Sequence, residues 1–75
     1  MNDYDRVVLN KDLPDEGFCA GDMGCIVYTH AQERAFEVEF FNLIGDTLVV
    51  VTLEANEIRP ARSNEIAHVR EMASA

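Results

Sequence analysis

The sequence predicts a mainly-β domain of five short strands followed by a short C-terminal helix, and three observations carry that expectation. Gly21-Asp22-Met23-Gly24-Cys25-Ile26-Val27 reads as a tight turn opening directly into a strand. AFEVEFFN, residues 35–42, alternates apolar and acidic side chains with the period of a half-buried strand. TLVVVTL, residues 47–53, is a continuous run of strand formers. In a chain of 75 residues these features predict a five-stranded SH3-like barrel over residues 1–60 and a helical tail over residues 61–75.

The first strand is expected at RVVL, residues 6–9, where the β-branched run is cut off by Asn10-Lys11-Asp12. A long loop, residues 13–21, follows, punctuated by Pro14, Gly17 and Gly21, with Leu13 and Phe18 expected to fold back onto the barrel. Strand two is residues 23–30, and residues 31–34 form a hairpin tip. In strand three Phe36, Val38 and Phe40 share the core face, while Glu37, Glu39 and Phe41 share the other. Gly45-Asp46 supplies the next turn. The apolar strand after it needs cover on both faces, either from the C-terminal segment or from another chain. Ala55-Asn56-Glu57 reads as a 3₁₀ turn, and Ile58-Arg59-Pro60 as a last brief strand that Pro60 ends by removing a ladder donor. Ser63 or Asn64 caps the expected helix, which runs to about Met72 with Ile66, Val69 and Met72 or Ala73 on one stripe.

Size and charge narrow the function classes. A single domain this small buries only about 60% of its unfolded surface, so a large internal active-site cavity is not expected. Fourteen acidic residues against six basic ones, a net charge of −8 and a pI of about 4.4 disfavour binding to phosphate backbones, whose affinity comes from Lys and Arg. If the acidity serves recognition, the partner is basic. The start MNDYDRVVLN has neither the cationic nor the apolar region of a signal peptide, and no long apolar run marks a membrane span. A cytoplasmic location is the expectation.

The chemistry-bearing residues form no convincing catalytic set. Cys19, Cys25, His30 and His68 are the candidates for a nucleophile and its base. The two cysteines lack metal-ligand spacing and read as free thiols, and His68 reads as an exposed polar residue on the tail. Glu37 and Glu39, about 7 Å apart on one strand face, are expected to be solvated carboxylates rather than a cation site. No metal, no cofactor and no enzymatic activity are expected.

LPDEGFCAGDMGCIV, AFEVEFF and TLVVVTLEANEIRP, in that order and spacing, resemble the small bacterial family catalogued as domain of unknown function 4926. The resemblance covers about residues 7–60. It implies a stand-alone one-domain protein and, through members encoded beside toxin genes, an antitoxin or immunity role. The Gly-Asp-x-Gly-x-Ile-Val element is also similar to the turn of KOW-type barrels that bind ribosomal RNA or protein. In this turn Gly21 and Gly24 are read as structural, allowing positive φ or close backbone approach.

The leading expectation is a non-enzymatic protein-protein interaction module. In its sharper form the chain neutralises a basic protein through Glu37, Glu39 and Phe41, with Asp15, Glu16 and Phe18 from the loop. The alternative is a self-assembling homo-oligomer built on Val49 and Val51 of the apolar strand and on Ile66, Val69 and Met72 of the tail. An RNA-binding barrel is the third reading, and it needs Arg34, Arg59, Arg62 and Arg70 to form one basic patch.

Overall fold

Five antiparallel strands make one sheet in a computed structural model that describes residues 1–72. They are β1 (Arg6–Leu9), β2 (Met23–Thr29), β3 (Ala35–Phe41), β4 (Thr47–Glu54) and β5 (Ile58–Pro60). The order across the sheet is β4-β3-β2-β1-β5. Each strand sits where the sequence places it, within a residue at its ends.

The period-two pattern of β3 becomes the centre of the core. Phe36, Val38 and Phe40 are buried and meet Ile26 of β2, Val7 and Leu9 of β1, Leu53 of β4 and Ile58 of β5 in one apolar cluster. β4 and β5 are opposite edges of the sheet, yet only Ala55–Glu57 separate them in the chain, a link too short to span a flat five-stranded sheet with strands about 4.8 Å apart. The sheet is therefore strongly curled. A bulge between Ile26 and Tyr28 in β2 contributes to the curl, because an extra residue in one strand sharpens its twist. β2 serves both halves: Met23, Gly24 and Cys25 pair with β1, while Cys25 to Thr29 run along β3.

The curl stops short of closure, which corrects the expectation of a closed barrel. β4 and β5 are the two edges and do not pair with each other. The 3₁₀ turn Ala55–Glu57 carries the chain between the two edges, held by a reciprocal capping box between Glu54 and Glu57. β5 is too short to reach further, and Pro60 ends it.

Two glycines in the first turn do different work. Gly21 adopts φ +95°, a left-handed conformation, in open space. Gly24 is needed for close approach instead: a Cβ there would lie 2.7 Å from Val38 Cγ1 and 2.9 Å from the Glu39 carbonyl oxygen of β3.

The loop between β1 and β2 folds back as expected. Leu13 and Phe18 bridge in antiparallel fashion, and the Phe18 ring stacks on Phe40 at 4.3 Å between centroids.

No helix forms over residues 61–72, a second correction; Ala73 lies outside the described residues. The Glu65 carboxylate accepts the Arg62 N–H at 2.6 Å and also binds Arg59, holding a turn where the helix was expected to start. A helix this short is marginal without packing, and tertiary ion pairs fix the segment as an irregular arm instead. The arm crosses the outer side of β1, where Ala61, Ile66, Ala67 and His68 share a cleft with Val8.

Candidate functional site

The acidic stripe on β3 is the feature that the sequence singled out, and the sheet places it between β2 and β4. Glu37 lies across from Tyr28 and Thr52, and Glu39 across from Cys25 and Val50. Both carboxylates have partners within the chain. Thr52 Oγ1 donates to both oxygens of Glu37 at 2.8 Å, and His30 Nε2 meets Glu37 Oε2 at 2.6 Å. Thr47 Oγ1 donates to Glu39. The His30 contact first and the Thr52 hydroxyl second hold the Glu37 carboxyl below its ordinary value of 4.5. The two glutamates thus form a fixed, hydrogen-bonded stripe with defined oxygen positions, and they are only half-buried.

The loop carboxylates lie beside β4. Asp15 and Glu16 are exposed and share a shallow cleft of about 330 Å³ with Val51, Thr52 and Leu53 of β4. Thr52 lines this cleft and also bonds Glu37. Phe18 takes no part in that surface. At 5% exposure it is a core residue, because its ring fills the space over Phe40. Phe41 is half-buried, across from Thr47 at a second bulge.

The β4 register sorts the apolar strand differently from the self-association surface expected. Val49 and Val51 pair with Phe40 and Val38 and pack against the core. The exposed apolar residues of β4 are Leu48 and Val50, at 44% and 47% exposure. Leu43 and Ile44, at the β3–β4 turn, stand out at 86% and 82%. Sequence reasoning missed these four residues, although counting back by twos from Leu53 assigns 49 and 51 to the inside and 48 and 50 to the outside. Ile66, Val69 and Met72 are exposed on the arm. Among the described residues, no strand pairs with the outer edge of β4.

The catalytic candidates are separated by their partners. Cys25 Sγ donates to the Tyr4 carbonyl at 3.4 Å, His30 is committed to Glu37, and Cys19 is an exposed free thiol. Among the described residues, no group of three His, Cys, Asp or Glu side chains is placed to hold a metal ion, and no helix is long and apolar enough to cross a membrane. Two of the four arginines proposed for a basic patch are engaged internally, Arg59 with Glu65 and Arg70 with Asp22.

No curated protein and no solved structure matches this chain. A family model does, over residues 3–60, which span all five strands and every residue of the core cluster. The chain belongs to that family, described as a domain of unknown function (DUF4926).

Proposed function

We propose that this chain is a non-enzymatic, cytoplasmic protein-binding module, an incompletely closed SH3-like barrel that takes an extended basic segment of another protein along the free edge of β4. The observation that carries this reading is β4 itself. It has a neighbour on one side only, it presents Leu48 and Val50 outward, and the exposed Leu43 and Ile44 extend the apolar surface at its start. Proteins usually guard such an edge with Lys, Pro or a covering loop, and Thr47–Glu54 contains neither Lys nor Pro. Strand addition supplies main-chain hydrogen bonds for affinity and side-chain contacts for choice of partner.

Charge selects the occupant. Glu39 lies across from Val50 and Glu37 across from Thr52, Asp15 and Glu16 lie at the cleft beside Thr52, and the whole chain carries −8. A second copy brings the same charge and is repelled, whereas an alternating basic and apolar strand is drawn in. In the antitoxin form of this reading, the carboxylates occupy positions on a basic nuclease or toxin that nucleic acid otherwise fills.

The test uses the full chain and an eight-residue peptide of alternating Lys and Val, with an alternating Glu and Val peptide as control. The Lys peptide is expected to bind with salt-sensitive affinity and to shift the amides of residues 47–54. Glu37→Lys with Glu39→Lys should weaken binding and flatten its salt dependence. Unchanged affinity in that variant overturns the reading. So does a stable dimer by light scattering whose interface is β4, which returns the edge to self-assembly.

A further inference from the structure

We propose that the Asp22 carboxylate and the Gly17 carbonyl form an arginine-recognition site, filled in cis by the protein's own C-terminal arm and open in trans to an arginine-bearing extended segment of a partner protein.

The acceptors are built into the first loop. The Asp22 carboxylate accepts the Cys19 N–H at 2.8 Å, and the Asp22 N–H donates to the Cys19 carbonyl at 3.0 Å. The same turn is tied to β1 twice, with Leu9 N–H donating to the Asp22 carbonyl and Gly21 N–H donating to the Leu9 carbonyl, each at 2.9 Å. The carboxylate therefore stands at a fixed point on the rim of the sheet before any ligand arrives.

The occupant shows what chemistry the site reads. Arg70 Nε donates to Asp22 Oδ1 at 2.8 Å, one terminal nitrogen donates to Asp22 Oδ2, and the same nitrogen reaches the Gly17 carbonyl at 3.1 Å. Two oxygens of one carboxylate, each taking a different nitrogen, and a carbonyl beside them match the planar fork of a guanidinium; an ammonium, whose donors share one nitrogen, cannot form that parallel two-nitrogen pair. The Asp22 carboxyl is held below its ordinary value, first by the Arg70 hydrogen bond.

Three observations separate the site from the arm that fills it. Gly17 and Asp22 lie within the matched family region, and Arg70 lies beyond its end at residue 60. The arm is anchored at two guanidinium–carboxylate pairs, Arg59–Glu65 and Arg70–Asp22, and between them Ile66 is left at 90% exposure. Beneath it runs a cleft of about 490 Å³ bordered by Val8 and Met23, which suits an apolar residue next to the arginine of an incoming chain. This site lies on the β1 side of the molecule, so it stands apart from the β4 edge, and its test is independent of that reading.

The experiment measures binding of a labelled peptide copying residues 61–72 to the full-length protein by fluorescence anisotropy. The wild type competes with its own arm and should bind weakly. Arg70→Ala vacates the site and should bind the peptide about fivefold more tightly, the factor expected for releasing one exposed bidentate pair. A peptide with lysine in place of the arginine corresponding to Arg70, its other arginine at Arg62 unchanged, should lose that gain, and so should the double variant Arg70→Ala with Asp22→Asn. Asn at position 22 keeps an acceptor for the Cys19 N–H, and the peptide substitution leaves the protein's fold untouched. Equal affinity of wild type and Arg70→Ala, or equal binding of the arginine and lysine peptides, overturns the proposal. A wild type that is dimeric through exchanged arms also overturns it, by showing that the trans occupant is a second copy.

Discussion

Replacing Gly24 with alanine adds one methyl group where β2 and β3 have no room for it. That methyl would meet Val38 Cγ1 at 2.7 Å, the Glu39 carbonyl oxygen at 2.9 Å and Phe40 Cε1 at 3.1 Å. The Glu39 oxygen belongs to the backbone of the neighbouring strand, and the two side chains belong to the core, so relief requires the strands to part. Overpacking of this kind costs up to about 3 kcal/mol. The alanine recovers about 0.4–1 kcal/mol by restricting the unfolded chain, which leaves a net loss of about 2 kcal/mol. For a domain of this size that corresponds to a melting temperature lowered by about 8–16 °C. Gly21→Ala is the control, because open space surrounds it and only its φ of +95° is penalised, at about 1 kcal/mol. Circular dichroism melts of both variants should rank Gly24→Ala well below Gly21→Ala. A Gly24→Ala protein melting within about 3 °C of the wild type would refute the close approach of β2 and β3.

Three further outcomes are expected. Phe18→Ala removes the ring stacked on Phe40 and should destabilise the fold by about 3–5 kcal/mol in urea titrations; a loss under about 1 kcal/mol would return Phe18 to the surface. The carboxyls of Glu37 and Asp22 sit below their ordinary values in the folded chain, and that of Glu65 is lowered to about 2 by Arg59, so each contributes stability above the unfolded value that is lost as pH falls through the folded one. The urea midpoint should therefore fall from pH 5 toward pH 2, and Glu37→Gln should make the fall shallower; identical slopes would count against the His30 and Thr52 bonds. Val50→Lys should leave stability within about 0.5 kcal/mol of the wild type, since the residue faces outward, while abolishing capture of the Lys and Val peptide at the β4 edge.

Most of the sheet was legible because its signals are local. The alternation in AFEVEFF, the 3₁₀ turn at Ala55–Glu57 and the stop at Pro60 each come from a few adjacent residues, and the structure reproduces them. Burial of Phe18 was partly legible: the fold-back of its loop was expected, yet the ring was still assigned to a contact surface. What escaped depends on distant parts of the chain. Whether β4 and β5 meet is decided by how far the sheet curls, which no local pattern encodes. The arm has the spacing of a helix at Ile66, Val69 and Met72, but Glu65 bonds Arg59 and Arg70 bonds Asp22, 48 residues away, and these partners override the period. In the candidate site the acidic residues were identified by type, whereas the hydroxyls and imidazole that fix them, Thr47, Thr52 and His30, required the register between strands.

The strand order also sets a timetable for folding. β2, β3 and β4 follow one another along the chain and pair as a meander, so their contacts close over short loops. β1 is made first but sits between β2 and β5, and its pairs Val7 with Pro60 and Leu9 with Ile58 span about fifty residues. Because long loops must close before such contacts repay their ordering, docking of β5 onto β1 is the slow, late event. A nascent chain must therefore extend to residue 60 before Ile58 can seal the core, and until then the side of β1 that β5 will cover is open to solvent.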